Sequence, residues 1–120
     1  MLTVDTCIIR GNTSLSGSAG LHAIGKYAEV VIKDTKCENN SSGSYGSAIS
    51  MQLANKANNE VSNCQFIKNK AAHGTIFLLQ AKLQVFGSKF YENSSRQTSS
   101  GFLLDQSELD IMSSTFTNQT

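Results

Sequence analysis

The side chains in this chain that could act as acids, nucleophiles or metal ligands are nine carboxylates, two histidines and three cysteines. Two carboxylates and a basic group on one groove would support general acid–base cleavage of a glycosidic bond. The acids are Asp5, Glu29, Asp34, Glu38, Glu60, Glu92, Asp105, Glu108 and Asp110, and no spacing among them gives two carboxylates beside a base. His22 and His73 stand far apart, and with Cys7, Cys37 and Cys64 they form neither Cys-x-x-Cys nor His-x-x-His, so no metal set is expected. Three cysteines is an odd number; the expectation is buried thiols acting as small hydrophobes. No Gly-x-Ser-x-Gly occurs, and no Gly-rich loop precedes a Lys-Ser/Thr pair that would cradle phosphate. Catalytic, metal and cofactor residues are therefore expected to be none.

Five Asn-x-Ser/Thr sequons begin at Asn12, Asn39, Asn40, Asn93 and Asn118. Such tripeptides accept N-linked sugar in a secreted chain, and they are also ordinary turn chemistry.

Composition narrows the class. The net charge is +1 and charged residues make up 16%, which leaves no electrostatic footprint for nucleic acid or an anionic membrane. No apolar run reaches the length of a membrane-spanning helix, so no membrane insertion is expected. Met1-Leu2-Thr3-Val4 does not read as a signal peptide. Proline is absent. Ser, Thr, Asn and Gly are abundant but interleaved with Val, Ile, Leu and Phe, which favours many short strands separated by turns.

The aliphatic, aromatic and amide residues fall into a repeat. Units start at Leu2, Val30, Asn59, Leu83 and Leu109, with lengths of 24 to 29 residues. Two residues on, the column reads Val4, Ile32, Val61, Val85, Ile111. Five on, it reads Cys7, Thr35, Cys64, Ser88, Ser114, and seven on, Ile9, Cys37, Phe66, Phe90, Phe116. Ten on, it reads Asn12, Asn40, Asn69, Asn93, Gln119. Between these positions the columns are mostly polar, which is the period-two signature of strands. The inward phase shifts between the third and sixth residue of each unit, as a corner in the backbone requires. A second apolar segment follows a small residue in each unit, as in Gly46-Ser47-Ala48-Ile49 and Gly74-Thr75-Ile76-Phe77. The unit reads strand, bend, strand, turn with Asn, variable loop, strand.

Winding that unit stacks parallel strands about 4.8 Å apart, with same-column residues one over another. The fold expected is all-β: a single-stranded parallel β-helix, or solenoid, of about five turns over residues 1–120. Phe66, Phe90 and Phe116 then form an inward aromatic stack. Asn12, Asn40, Asn69 and Asn93 form an amide ladder at a turn, where Asn tolerates the left-handed conformation. Asn39 and Asn118, one step earlier in that turn, are the outward sequon asparagines and the candidate glycosylation sites. Lys68 beside Glu92 is expected to pair on the surface. A helical reading of Leu21 to Lys33 and Met51 to Val61 is weakened by Gly25, Asn55, Asn58 and Asn59; a short helix within Ser50 to Asn58 is expected at most as a loop decoration.

At these residues the chain resembles right-handed parallel β-helix repeats, and in particular the polymorphic outer-membrane-protein type. That type pairs a Cys-x-Phe-x-x-Asn element with a Gly-Gly-Ala-Ile element. Cys64-Gln65-Phe66-Ile67-Lys68-Asn69 matches the first in full, Phe90-Tyr91-Glu92-Asn93 matches its second half, and Thr115-Phe116-Thr117-Asn118 is shifted by one. Gly46-Ser47-Ala48-Ile49 is the nearest copy of the second. The resemblance covers the whole chain and implies fold more than activity. Relatives of this architecture include adhesins, surface proteins and polysaccharide lyases.

The function expected is a non-catalytic structural or adhesive module of an extracellular or cell-surface protein. The alternatives are a fragment of a carbohydrate-active, pectin lyase-like enzyme, and a component packed in a filament or larger assembly. Outward Ile67 and Tyr91 share a column, and Phe86 and Met112 are placed at adjacent corners; together they are the candidate interface. Neither end of the repeat array reads as a cap, so the chain is expected to be part of a longer solenoid. The partners expected are other protein chains, or the rest of its own chain, at the solenoid ends, together with glycans.

Overall fold

The computed structural model describes residues 1–52 and 58–120. The backbone winds in coils of short strands. The first coil holds β1 (Leu2–Asp5), β2 (Ile8–Arg10), β3 (Thr13–Ser14) and β4 (Leu21–Ile24). The second holds β5 (Val30–Lys33), β6 (Lys36–Glu38), β7 (Ser41–Ser42) and β8 (Ile49–Gln52). The third holds β9 (Asn59–Ser62), β10 (Gln65–Ile67), β11 (Lys70–Ala71) and β12 (Ile76–Leu79). The fourth holds β13 (Lys82–Phe86), β14 (Lys89–Tyr91), β15 (Ser94–Ser95) and β16 (Phe102–Asp105), and β17 (Glu108–Met112) and β18 (Thr115–Thr117) begin a fifth.

Equivalent strands of successive coils pair in parallel, giving four sheets along the solenoid. The first runs β1-β5-β9-β13-β17 and the second β2-β6-β10-β14-β18; the third and fourth have four strands each, β3-β7-β11-β15 and β4-β8-β12-β16. The register places Leu2 on Val30, Leu83 on Asn59, and Leu83 on Leu109. Those are the unit starts read from the repeat. No helix occurs among the described residues. Leu21–Ile24 and Val30–Lys33 are strands, as are Ile49–Gln52 and Asn59–Ser62. The remainder of the short helix expected within Ser50 to Asn58 falls on residues 53–57, outside the described residues.

The core is a set of columns. Val4, Ile32, Val61, Val85 and Ile111 stack in the first sheet, where β-branched side chains suit the pleat. Ile9, Cys37, Phe66, Phe90 and Phe116 stack in the second. The Phe66 and Phe90 rings lie 4.6 Å apart at 11°, and Phe90 and Phe116 4.7 Å apart at 10°. Each such pair adds about 1 kcal/mol beyond area burial. Leu21, Ile49, Ile76 and Phe102 stack from the fourth sheet. Middle rungs are sealed, with Val61, Val85 and Phe66 at 0% exposure, because a rung is buried only when it has neighbours on both sides.

Two features depart from the sequence reading. The turn that holds the ladder asparagines is followed by a further paired segment: the two-residue strands of the third sheet. The left-handed residue is also not the ladder Asn but the one before it. Gly11, Asn39, Lys68, Glu92 and Asn118 carry φ of 65°, 54°, 54°, 54° and 52°. The first corner repeats the device with Thr6, Asp34, Asn63, Gly87 and Ser113, φ 50° to 61°. One left-handed residue turns the chain while its own side chain stays outside. The next residue is thereby aimed inward along the coil axis.

Candidate functional site

Each corner is closed by a polar side chain that bonds between coils. At the first corner the Cys7 N–H donates to Thr35 Oγ1 at 3.3 Å, the Cys64 N–H to Ser88 Oγ at 3.1 Å, and the Ser88 N–H to Ser114 Oγ at 3.1 Å. Thr35, Ser88 and Ser114 hydroxyls donate back to the carbonyls of Lys33, Phe86 and Met112. Small polar residues at this column therefore both leave room for the bend and satisfy it.

At the second corner the ladder is continuous. Asn12 Nδ2 donates to Asn40 Oδ1, Asn40 Nδ2 to Asn69 Oδ1, and Asn69 Nδ2 to Asn93 Oδ1, at 3.1, 3.1 and 3.0 Å. Asn93 Nδ2 reaches Gln119 Oε1 at 3.2 Å. The backbone N–H groups of Asn12, Asn40 and Asn69 donate to the same Oδ1 atoms as their side chains. The second N–H of each amide returns to the preceding coil: Asn40 to the Ile9 carbonyl, Asn69 to Cys37 and Asn93 to Phe66. Asn40, Asn69 and Asn93 are all at 0% exposure.

Asn59 is a further buried amide, standing in an otherwise aliphatic column. Its Oδ1 accepts the Val30 N–H at 2.8 Å and its Nδ2 donates to the Lys82 carbonyl at 2.9 Å. In the first coil the matching N–H, that of Leu2, bonds instead to the backbone carbonyl of Glu29. The side chain of Asn59 thus fills a slot that a backbone carbonyl fills in the first coil.

The outer faces carry the residues that could meet a partner. Phe86 sits over Met112 in the first sheet, 47% and 52% exposed, and both are the last residues of their strands, not corner residues. Ile67 sits over Tyr91 in the second sheet; Tyr91 is 41% exposed and Ile67 half-buried. Asn39 and Asn118 are exposed.

Charged residues pair along the coil axis. Asp5 and Lys33 approach at 3.7 Å, Arg10 and Glu38 at 3.8 Å, Lys68 and Glu92 at 3.6 Å, and Lys82 and Glu108 at 3.8 Å. Lys68 and Glu92 occupy one corner column on adjacent coils. Lys36 also reaches Glu38 at 2.8 Å. Its hydrogen bond, more than its charge or that of Arg10, holds the Glu38 carboxyl below the ordinary carboxylate range. Glu60 and Asp110 share an outward column with Gln84 between them. Asp105 lies on the fourth sheet, around a corner from Glu108 and Asp110. Among the described residues no three His, Cys, Asp or Glu side chains gather to hold a metal.

The cysteines are free thiols. Burial, followed by the nearby Cys64 thiol, pushes Cys37 up to about 12. Burial also raises Cys64, whose sulfur lies 3.2 Å from the Ser62 carbonyl. Neither is a ready thiolate. Cys7 is exposed.

An outer aromatic cluster escaped the sequence reading. Tyr45 stacks on His73 at 4.8 Å and on Phe77 at 4.5 Å, and His73 Nδ1 meets Thr98 Oγ1 at 3.2 Å. Tyr45 and His73 each precede the glycine that opens the second apolar segment. That shared position was the available signal. The cluster covers Phe77, an outward residue of the fourth sheet that is only 6% exposed. His22 lies elsewhere, on the rim of a cleft of about 320 Å³ beside Leu2, Ala23, Tyr27 and Val30.

The family described as a right-handed β-helix region matches residues 1–120. No curated protein matches the chain, and no solved structure matches it.

Proposed function

The chain belongs to the right-handed β-helix family, and from that premise we propose that it is a non-catalytic structural or adhesive module of an extracellular or cell-surface protein. The finer kinship we propose is with polymorphic outer-membrane-protein repeats, on the strength of Cys64-Gln65-Phe66-Ile67-Lys68-Asn69. The observation that carries the functional reading is the contrast between inner and outer columns. Inside, columns keep largely to one kind of side chain: amide after amide from Asn12 to Gln119, and apolar residues from Ile9 through Cys37 and Phe66 to Phe116. Outside, Asp5, Lys33, Phe86 and Met112 share one column without sharing a chemistry, with only Ser62 of that column buried. A stiff interior with a freely varied exterior suits a scaffold that displays contacts. Its partners are other protein chains or the rest of its own chain at the solenoid ends, and glycans.

Two assays run together test this. Antibody against the chain should stain intact, unpermeabilised source cells, and the purified chain should bind cell-surface protein or a glycan array without changing it. Phe86→Ala combined with Tyr91→Ala should weaken that binding. New reducing ends or unsaturated uronates released from polygalacturonate or alginate would sink the scaffold reading in favour of the carbohydrate-active enzyme. Sedimentation of the chain as ordered filaments would favour the assembly component.

A further inference from the structure

We propose that the outward edge of the second corner is a glycan-attachment edge, with N-linked oligosaccharide on Asn39 and Asn118. The proposal deepens the extracellular reading above and rests on it for where the chain meets the glycosylation machinery. Its physical basis is that the fold treats the five sequon asparagines differently. Asn40 and Asn93 are sealed, and each spends both N–H groups of its amide nitrogen on hydrogen bonds. Asn40 Nδ2 donates to the Ile9 carbonyl at 3.0 Å and to Asn69 Oδ1 at 3.1 Å. Asn93 Nδ2 donates to the Phe66 carbonyl at 2.9 Å and to Gln119 Oε1 at 3.2 Å. A sugar on either nitrogen removes one of those donors, leaves a buried acceptor unpaired, and must occupy space inside the coil. Asn12 is likewise tied into the ladder through Asn40 Oδ1.

Asn39 and Asn118 stand one residue before their ladder amides, with φ of 54° and 52°. That left-handed turn leaves both side chains in solvent. Neither amide makes a hydrogen bond among the described residues, so a sugar there costs no internal contact. The hydroxyls that complete the two sequons belong to Ser41 and Thr120. Both asparagines lie in one corner column, on the second and fifth coils, about 14 Å apart at ~4.8 Å per coil. The two positions between them are filled by the Lys68–Glu92 pair.

The chemistry is group transfer from a lipid-pyrophosphate-linked oligosaccharide. The amide Nδ2 bonds to the anomeric carbon of the first sugar, the bond from that carbon to the pyrophosphate oxygen breaks, and the lipid pyrophosphate leaves. Nδ2 gives up one proton and keeps the other. Transfer acts on the extended chain, where Asn39 and Asn40 compete within Asn39-Asn40-Ser41-Ser42. Folding then retains the Asn39 product, because an Asn40 product cannot close its coil. A sugared edge would also keep protein partners to the other faces, including the Phe86–Met112 column.

The test is secretion of the full chain, behind a cleavable leader, from a eukaryotic cell that also glycosylates a control reporter. Removal of the glycans with peptide:N-glycosidase leaves aspartate at each occupied site, read by peptide mass. The expected result is aspartate at residues 39 and 118 in the folded, secreted protein. Asn39→Gln and Asn118→Gln should each remove one glycan's worth of gel mobility and leave circular dichroism unchanged. Glycan on Asn40 or Asn93 of the folded protein, or bare Asn39 and Asn118 beside an occupied reporter, overturns the proposal. Host occupancy tests the site and surface staining tests the location, so either can fail without the other.

Discussion

Asn93 Oδ1 accepts two hydrogen bonds from Asn69, one from its backbone N–H at 2.9 Å and one from its Nδ2 at 3.0 Å. The amide thus joins adjacent coils through backbone and side chain at once. The remaining Asn69 donor reaches back to the Cys37 carbonyl at 3.0 Å, so one side chain spans three coils. Asn40 makes the same three bonds to Asn69 and Ile9, so the second corner is a bonded column inside the solenoid.

Truncating the column at its middle should therefore be costly. Asn69→Ala removes the acceptor of the Asn40 N–H and Nδ2 and the donor of the Cys37 carbonyl, all without access to water. Each orphaned buried group costs about 1–3 kcal/mol, so a loss of about 3 kcal/mol or more is expected in urea denaturation. Asn12→Ala, at an exposed rung, should cost less than about 1 kcal/mol. Equal losses at the two positions would mean that the ladder does not carry stability through its buried bonds.

The columns were legible in the sequence because stacking forces like residues to recur: Val61 must suit Ile32 and Val85, and Phe66 must suit Phe90. The third sheet was not legible, since segments such as Thr13–Ser14 and Lys70–Ala71 are too short to alternate. The left-handed residue was misplaced by one because Asn is the usual signal for that conformation. Here the conformation falls on Lys68 and Glu92, whose types give no hint of it. Tyr45 over His73 was missed because the loops that carry them differ in length and composition. Asn59 could be placed in its column, but nothing in its residue type tells that its Oδ1 takes the Val30 N–H in place of a backbone carbonyl.

The first corner carries removable strain. Thr6 holds φ 53°, a conformation that costs a β-branched residue on the order of 1–2 kcal/mol. Its hydroxyl bond to Asp5 Oδ1 is exposed and offsets little of that. Thr6→Asn should raise the urea midpoint by the equivalent of about 1 kcal/mol with an unchanged slope, because Asn enters this region readily. The reverse holds at Gly87, φ 61°, where an added Cβ would press on Asn63 Oδ1. Gly87→Ala should lower stability by at least about 1 kcal/mol. A neutral Gly87→Ala would show that the left-handed conformation carries no cost for a side chain at this corner.

Alkaline pH should weaken the fold through its buried thiols. Burial raises Cys37 from 9.0 to about 12 and raises Cys64 in the same direction. In the unfolded chain both thiols ionise as pH passes 9, while in the folded chain Cys37 stays protonated until about 12. Between those values the folded state holds more protons than the unfolded one, so stability falls as pH rises. Cys37 contributes a slope of about 1.4 kcal/mol per pH unit once its unfolded form is fully ionised, and Cys64 adds to it in the same direction. Cys37→Ala loses some stability at every pH by emptying volume above Phe66, but that loss is constant. The informative readout is the slope of unfolding free energy against pH above 9, which should flatten by about that amount in Cys37→Ala relative to the parent chain. Parallel slopes would show that the thiol is not held protonated by the fold.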